Sequence, residues 1–375
     1  MKKILALLLA VVMMFALSVT AYAEPAPDTK VAVFWYAFSD AYLSTVRAAL
    51  DADLEEAGIE FQNFDANNNQ GTQLEQVQTA VTNGFTVLVV NLVTSGSADA
   101  AQQIIEAANG LPVIFFNRAV EGDGEEHTVL DENENIAFIG TDAPEAGHMQ
   151  GKMIGEFLVE NFEDVDLNGD GQISYAMFMG DAANVEAIYR TQFGVEDANA
   201  ILVENELPEL VYFDANNTDK YQLDPNGAWS AAAAFDFMSV NLAGYSEANG
   251  NMIELIIANN DDMAIGSISA LQSAGYNLGK DEECTKIPVF GVDATQVAQD
   301  AIKDDTMTGT VKQDAEGMAN AICGAVYAVA EGTPIADAIA AVADSDEIFS
   351  LAEGFTNKLF VAYAPFTGAE EAEEE

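Results

Sequence analysis

The sequence predicts an α/β protein of two lobes, each a doubly wound, parallel-sheet lobe of Rossmann type. Short continuous apolar runs alternate with segments whose apolar residues recur every three or four positions, the pattern of buried strands and covering helices. Half of the residues are hydrophobic, so the chain can bury a large core. At 375 residues it exceeds one ordinary core, and two domains are the simplest arrangement.

Nine short apolar runs have the length of buried strands. They are Val31–Tyr36, Thr86–Asn91, Val113–Asn117, Ala137–Gly140, Ile173–Met179, Leu255–Ala258, Val289–Val292, Gly309–Val311 and Phe360–Tyr363. The first predicted helix follows with apolar residues spaced by three or four between Leu43 and Ala57. The further predicted helices are Gln73–Thr82, Ala98–Ala108, Glu145–Asn161, Asn184–Ala198, Ala228–Leu242, Asp262–Ala274, Thr295–Lys303 and Ala315–Ala330. Because most strands are followed by helices, parallel sheets covered on both faces are expected.

The N-terminus has the features of a secretory signal peptide. Lys2 and Lys3 form a basic start, Ile4–Ala16 is apolar, and Ala21–Ala23 (AYA) is a small-x-small cleavage site. No cysteine stands beside that site to carry a lipid, and no later segment reaches the roughly 18 apolar residues of a membrane span. The expectation is an exported, soluble protein, periplasmic or at the cell surface, without a lipid anchor.

The charge balance excludes some partners. The chain has 62 acidic and 13 basic residues, a formal net charge of −49. Such a charge repels nucleic acid and anionic membrane surfaces, whereas it suits calcium and solubility outside the cell. Two cysteines, Cys284 and Cys323, permit one disulfide in an exported protein, and a buried free thiol at Cys323 is the alternative.

Polar residues follow almost every predicted strand, at the edge where such sheets bind ligands. They are Ser39, Asp40, Asn91, Asn117, Gly180, Asp181, Asn259, Asn260, Asp261, Asp293, Gln313 and Asp314. Each taken singly is also typical of a helix N-cap or a turn, and no glycine-rich phosphate motif occurs among them. Together, amides and carboxylates suit a neutral, hydroxyl-rich ligand, because each hydroxyl both donates and accepts. Tyr42 and Trp229 offer rings for stacking on a sugar, and Arg190 offers five fixed donors.

The string Asp166–Ser174 (DLNGDGQIS) has the spacing of an EF-hand-type calcium loop. Asp166, Asn168 and Asp170 stand at positions 1, 3 and 5, and a glycine stands at position 6, where the loop must turn. Position 12, however, is Met177, and a thioether does not replace the bidentate glutamate that calcium prefers. Either the loop binds nothing or a carboxylate from elsewhere in the fold completes it.

The chain resembles the periplasmic galactose- and glucose-binding proteins, a family with the type I solute-binding fold. The resemblance covers nearly all of the chain after the signal and is carried by eight strings. They are FSDAYLSTVRAAL (Phe38–Leu50), VVNLVTS (Val89–Ser95), PVIFFN (Pro112–Asn117), IGTDAPEAGHMQG (Ile139–Gly151), DLNGDGQIS (Asp166–Ser174), IIANNDDMAIGS (Ile256–Ser267), IPVFGVDA (Ile287–Ala294) and TGTVKQDA (Thr308–Ala315). The calcium loop is the most specific of these, because most relatives with this fold lack it.

The resemblance implies a calcium site and a sugar site. The family's loop is completed by a distant glutamate, here Glu254, and the implied calcium ligands are Asp166, Asn168, Asp170, Gln172, Ser174 and Glu254. The implied sugar-binding residues are Asp40, Tyr42, Asn91, Asn184, Glu186, Arg190, Trp229, Asn260, Asp293 and Gln313. The family residue is replaced by a similar one at Tyr42, Asn184, Glu186 and Gln313. The resemblance therefore implies a hexose as the ligand more firmly than it implies glucose or galactose in particular.

The resemblance also implies how the protein works. Two lobes close around a monosaccharide, and the closed, monomeric protein docks on the membrane permease of an ABC transporter or on a chemoreceptor. The chain is expected to cross between the lobes near Leu111, Gln313 and Val361. The resulting division is 1–23 for the signal peptide, 28–111 with 314–360 for the first lobe, 112–313 with 361–367 for the second lobe, and 368–375 for an acidic, disordered tail.

Three other functions compete with a hexose-binding protein. A binding protein for another small polyol or a pentose needs only a different hydroxyl pattern. A secreted glycoside hydrolase needs two carboxyls such as Asp40, Glu186 or Asp293, but Arg190 is expected to keep nearby carboxylates ionised. A transcriptional regulator shares this lobe architecture but needs a basic DNA-binding arm in place of the export signal. The prediction is a binding protein and not an enzyme.

Overall fold

A computed structural model describes residues 28–122 and 126–368 of the chain. The predicted signal peptide and all but the first residue of the predicted tail lie outside these ranges. The strands are β1 (Lys30–Trp35), β2 (Glu60–Asp65), β3 (Val87–Val90), β4 (Val113–Phe116), β5 (Ile136–Gly140), β6 (Ser174–Met179), β7 (Val211–Tyr212), β8 (Gln222–Leu223), β9 (Leu255–Ala258), β10 (Val289–Asp293), β11 (Gly309–Gln313), β12 (Phe349–Leu351), β13 (Lys358–Val361) and β14 (Tyr363–Phe366). The α-helices are Ala41–Glu56, Gln70–Thr82, Ala98–Ala108, Glu126–Glu132, Ala143–Val165, Val185–Glu204, Ala231–Gly244, Asp261–Ser273, Gln296–Lys303, Ala315–Ala330 and Ile335–Ala343.

The strands form two sheets, and each sheet is the centre of one lobe. The first sheet has the order β12-β13-β5-β4-β3-β1-β2, and the second has the order β14-β11-β10-β9-β6-β7, with β8 paired to β6. Neighbouring strands run parallel except at one edge of each sheet, where β12 and β14 are antiparallel to β13 and β11. The predicted α/β fold with two doubly wound lobes is confirmed, with mixed rather than purely parallel sheets.

Both faces of each central strand are buried, which explains the continuous apolar runs. In β1, Val31, Val33 and Trp35 belong to the core on one face of the sheet, and Ala32 and Phe34 belong to the core on the other. All five are fully buried. A strand with only one covered face would alternate apolar with polar residues, so the run itself indicates the two helical layers.

The expected crossing between the lobes near Leu111 is wrong. β4 and β5 follow that point, yet they pair with β3 and with each other in the first sheet. Asn109 and Gly110 make an ordinary helix-to-strand turn, with left-handed φ angles of 52° and 85°. Such a turn has the same composition as a linker but keeps the next strand in the same sheet. The chain instead leaves the first lobe after Gly140, at the end of β5.

Two further crossings complete the hinge. After Gln313, the end of β11, the helix Ala315–Ala330 packs on the core of the first lobe. The last crossing lies between Val361, which ends β13 in the first sheet, and Tyr363, which begins β14 in the second. Each lobe is therefore built from separate stretches of the chain.

Several elements escaped the sequence prediction, most of them short or exposed strands at or near a sheet edge. β2 pairs only with β1, and its residues are exposed or half-buried, so it lacks an apolar run. The two-residue strands β7 and β8 are too short to show a period. The helix Ile335–Ala343 and the strand β12 were not predicted either.

A close helix pair fixes the part of the second lobe that faces the first. The helices Ala143–Val165 and Val185–Glu204 pack together along a row of glycines. A Cβ on Gly147 would overlap the backbone carbonyl of Tyr189, so only glycine permits this approach. The backbone that carries Arg190 is held in place by this contact.

The structure also bears on the state of the two cysteines and on a possible membrane span. Cys284 and Cys323 are both free thiols, the first in the second lobe and the second in a helix of the first lobe. No helix within the described ranges has the length and apolar character to cross a membrane.

Candidate ligand-binding cleft

Nine of the ten predicted sugar residues line one pocket at the carboxyl ends of strands from both sheets. They are Asp40 and Tyr42 from the first lobe and Asn184, Glu186, Arg190, Trp229, Asn260, Asp293 and Gln313 from the second. The free space between them is about 40 Å³. This is far below the roughly 300–1,000 Å³ of ordinary ligand pockets, so the lobes must move apart for a sugar ring to enter.

Three of these polar residues are held by helix N-capping. Asp40, Asn184 and Asn260 each accept a hydrogen bond from the backbone amide three residues further on, at 2.8, 3.2 and 3.0 Å. The second carboxylate oxygen of Asp40 accepts from the hydroxyl of Tyr36 at 2.7 Å. Capping and pocket lining are therefore combined in the same side chains.

Arg190 is the centre of the hydrogen-bond network in the second lobe. Its side chain is almost completely buried, and Nη1 donates to the backbone carbonyl of Asn259 at 2.9 Å. Nη2 donates to Glu186 at 3.2 Å, to Gln313 at 3.2 Å and to the Tyr363 hydroxyl at 3.0 Å. The guanidinium is thus oriented by protein groups before any ligand arrives.

Burial dominates the titration of the carboxyls around Arg190. It raises the pKa of Glu186 and of Asp293, and Arg190 lowers both pKa values without offsetting the effect of burial. Asp293 lies 3.9 Å from Nη1 of Arg190. The expectation that Arg190 prevents a raised pKa in these carboxyls is therefore wrong. Burial lowers the pKa of Arg190 itself, but Tyr363, Glu186 and Asp293 raise it by more, so the guanidinium stays charged.

The two predicted stacking rings are buried at the pocket. Trp229 has a left-handed backbone (φ 55°) and lies over Gly180, where any Cβ would overlap the indole. Asn260 donates to the carbonyl of Trp229 at 3.3 Å, which ties the ring to the neighbouring helix cap. Tyr42 lies in the first lobe and is 6% exposed.

Five buried polar atoms that line this pocket have no hydrogen-bond partner among the described residues. They are Tyr42 Oη, Arg118 Nε, Arg190 Nε, Trp229 Nε1 and Gln313 Nε2. Buried polar groups are nearly always hydrogen-bonded, because leaving one unpaired costs about 1–3 kcal/mol. Several such groups in one place indicate a polar ligand.

Asn91 is the one predicted sugar residue that does not line the pocket, so the direct sugar contact expected for it is wrong. It is fully buried and does not line the pocket. Its Oδ1 accepts from the amide of Tyr36 at 3.3 Å, and its Nδ2 donates to the carbonyl of Phe116 at 3.1 Å and to Asn117 Oδ1 at 3.2 Å. Asn117, with a left-handed φ of 60°, lines the pocket in its place. Asn91 supports the wall from behind because all of its amide atoms are used by the protein.

One charged lining residue, Arg118, was missed by the sequence analysis. Arg118, directly after Asn117, is anchored by a hydrogen bond to the carbonyl of Val93 at 3.1 Å and has its guanidinium 4.3 Å from the centre of the Tyr36 ring. It also forms an ion pair at 3.3 Å with Asp181, which belongs to the second lobe. The sequence contains a signal that could have identified Arg118 as a pocket residue, because it is one of three arginines and follows a predicted strand exit.

The loop Asp166–Ser174 lies against Glu254 in the second lobe. The Glu254 carboxylate accepts from the amides of Asn168 at 3.1 Å and Ser174 at 2.9 Å. Burial raises the pKa of Glu254, and the nearby Asp166 and Asp170 raise it further, so three carboxylates lie close enough to repel. This donor set of hard oxygens fits a calcium ion.

A calcium ion at this loop needs amide and backbone oxygens as well as carboxylates. Within the described residues, no group of three or more His, Cys, Asp or Glu side chains is close enough to hold a metal by itself. A calcium ion would therefore rely on Asn168 and on backbone oxygens, as such loops do. The hydroxyl of Ser174 donates to the carbonyl of Met252. The hydroxyl proton is therefore used within the protein, and only the oxygen lone pairs are left to bind a water or a metal.

Comparison with known proteins agrees with this architecture. A model of the periplasmic binding protein domain matches residues 31–334. The chain is 31% identical over 306 residues to the D-galactose/methyl-galactoside binding periplasmic protein MglB of Haemophilus influenzae, with 81% of this chain and 82% of that protein covered. It is 23% identical to the ribose import binding protein RbsB of Escherichia coli, with 84% and 87% covered.

Solved structures show the same fold at lower identity. An ABC transporter solute binding protein from Clostridium phytofermentans with bound β-D-glucose has a TM-score of 0.67 and 18% identity, covering 92% of this chain and 96% of that one. One from Bacillus halodurans with bound myo-inositol has a TM-score of 0.65 and 22% identity, covering 92% and 97%.

Proposed function

The chain belongs to the periplasmic binding protein domain family, and we propose that it captures a hexose of the galactose/glucose type between its lobes and delivers it to the permease of an ABC transporter. The hexose rests on the 31% identical relative named for D-galactose and methyl-galactoside. Proteins of this family bind solutes and do not catalyse reactions, so the chain is a binding protein and not an enzyme.

The unpartnered polar atoms of the pocket are the observation that carries this proposal. They include donors from both lobes, such as Tyr42 Oη in the first and Arg190 Nε in the second. A ligand whose hydroxyls satisfy both sets binds the closed state better than the open one. Only such a difference in affinity shifts the equilibrium toward closure. A polyhydroxylated ring supplies hydroxyl acceptors for these donors and hydroxyl donors for Asp40, Glu186 and Asp293.

Calorimetric titration of the purified protein with galactose, glucose, ribose and myo-inositol tests the proposal. We expect at least one hexose to bind more tightly than ribose or myo-inositol. Replacing Trp229→Ala removes a ring that contacts the sugar faces, and we expect about a 30-fold loss of affinity, or roughly 2 kcal/mol. The matched control is Phe235→Ala, since Phe235 lies on the following helix and is 37% exposed.

The outcomes are distinguishable. Unchanged affinity in Trp229→Ala would remove the stacking role. Tighter binding of ribose or myo-inositol would change the sugar to a pentose or polyol. Lack of binding to all four compounds would contradict the proposed function.

We further propose that calcium binds the Asp166–Ser174 loop with Glu254 and stabilises the second lobe. An ion bound only to the folded state raises stability by about 2.7 kcal/mol at a hundredfold excess over its dissociation constant. We expect a higher melting temperature with calcium than with a chelator, and no such difference in Glu254→Gln. The control is Glu163→Gln, an exposed carboxylate near the loop. Equal melting with calcium and with chelator in the unchanged protein would contradict the site.

The proposed setting is the periplasm or the cell surface, as the predicted signal peptide and the family imply. Docking on a chemoreceptor stays a prediction from the sequence resemblance. The proposal therefore takes the permease as the partner.

A further inference from the structure

A second chamber lies directly beside the proposed hexose pocket. The two spaces share Asn117, Asn184 and Glu186 as a common wall. The chamber extends between the lobes toward the first hinge crossing, at Thr141 and Asp142. Its free space is about 150 Å³, compared with about 40 Å³ in the pocket itself. The larger opening between the lobes is therefore next to the predicted sugar residues and not among them.

A buried hydroxyl in this chamber lacks a partner. Ser95 lines the chamber and is 3% exposed, yet its Oγ has no hydrogen bond to any described residue. The same loop brings Gly96 close to the second lobe, where a Cβ would lie 3.0 Å from the carbonyl oxygen of Ala183. The loop is thus held against the second lobe with a polar atom left for a bound molecule.

The chemistry of the chamber favours a neutral, hydroxyl-rich group. Asp142 and Glu186 place two carboxylates on its wall, and Lys358 places one ammonium there. Because Glu186 is already paired with Arg190, the carboxylate of Asp142 and the ammonium of Lys358 leave the chamber close to neutral. A neutral group whose hydroxyls both donate and accept suits such a wall. Phe138 and Tyr189 line the same space and offer ring faces of the kind on which sugars pack.

We propose that the protein binds a neutral disaccharide, with one ring in the hexose pocket and the second ring in the chamber lined by Ser95. The inference rests on the proposed hexose function and extends it to a two-ring ligand. The glycosidic link passes between Asn117 and Asn184, the polar residues that belong to both spaces.

Calorimetric titration with lactose, melibiose, maltose and cellobiose, beside free galactose and glucose, tests the inference. We expect at least one disaccharide to bind within about tenfold of the best hexose, or roughly 1.4 kcal/mol. The variant Ala119→Phe fills the chamber from the first lobe without touching the hexose pocket. We expect it to weaken disaccharide binding by at least about tenfold while hexose binding changes less than about twofold.

Matched variants separate chamber filling from general damage. Ala232→Phe adds the same ring at an exposed position of another helix and should leave both ligands unaffected. Ser95→Ala should weaken only the disaccharide, whereas Thr94→Ala, the exposed neighbour, should weaken neither.

Two results would overturn the inference while leaving the hexose function intact. One is binding of hexoses with no measurable binding of any disaccharide. The other is an equal loss of hexose and disaccharide binding in Ala119→Phe. If neither class of sugar binds, the proposed hexose function fails and the inference fails with it.

Discussion

The two walls of the pocket are built on different principles. In the second lobe, Arg190 is buried and takes its partners from that lobe's own chain, including Glu186 and Gln313. In the first lobe, Asp40 is only half-buried, and Arg118 finds its ion-pair partner in the opposite lobe. The Arg190 network is formed within its own lobe, whereas the first-lobe wall gains the Arg118–Asp181 ion pair only when the lobes meet. Substitutions in the second wall should therefore affect folding and binding together, and those in the first should affect closure.

The largest effect is expected from Arg190→Met. The change leaves Glu186 and Asp293 buried without their cation, which typically costs about 3–5 kcal/mol. We expect sugar binding to become unmeasurable by calorimetry and urea unfolding to show a loss of stability of that size. Arg47→Met is the control, because Arg47 packs over Trp35 and Phe38 outside the pocket. A variant that loses binding but keeps its stability would show that the second wall is not a preformed network.

The same contrast explains what the sequence could predict. The second-lobe residues Asn260, Asp293 and Gln313 directly follow or end buried strands, so their position at the cleft follows from the topology. The first-lobe wall depends on which of two adjacent strand exits faces the ligand. Asn91 and Asn117 have the same residue type and the same pattern, and the structure uses the second. Only the left-handed backbone at Asn117, together with the use of Asn91 to support the wall, decides between them.

The hinge was harder to predict than the site. The turn at Asn109 and Gly110 has the composition of a linker, but pairing of β4 with β3 is a long-range fact that local sequence does not contain. The edge strand β2 was missed for a different reason, because its residues are exposed or half-buried and so form no apolar run. Central strands were predicted well because a strand buried on both faces requires a continuous run of apolar residues.

A smaller effect is expected at the ion pair that joins the walls. Arg118 and Asp181 lie on different lobes, so their 3.3 Å contact is lost when the lobes separate. We expect Asp181→Asn and Arg118→Met each to weaken sugar binding by about tenfold, and a double-mutant cycle to give a coupling energy of about 1 kcal/mol. Stability of the open lobes should hardly change.

The control for this pair lies within the first lobe. Lys30 and Glu60 form a 2.9 Å ion pair on neighbouring strands that is unaffected by closure, so Lys30→Met should leave affinity unchanged. Additive effects of Arg118→Met and Asp181→Asn would contradict the role of their contact in closure.

The smallest effect concerns Asp262 and Asp40, two carboxyls of different lobes that are close enough for one to raise the pKa of the other. Burial and, secondarily, the Asp40 carboxylate of the first lobe raise the pKa of Asp262 in the second lobe to about 6. A carboxyl whose pKa is higher in the folded state favours folding when protonated. Its contribution is complete below about pH 4 and is lost as pH rises through about 6.

Asp262→Asn removes this titration and keeps the shape of the side chain. We expect the variant to match the unchanged protein in urea unfolding near pH 4 and to exceed it by about 1 kcal/mol near pH 8. Sugar affinity near pH 8 should rise slightly, because closure no longer brings two carboxylates together. Asp281→Asn, at an exposed position, should leave the pH dependence unchanged. If sugar affinity near pH 8 does not rise in Asp262→Asn, repulsion between the walls does not oppose closure.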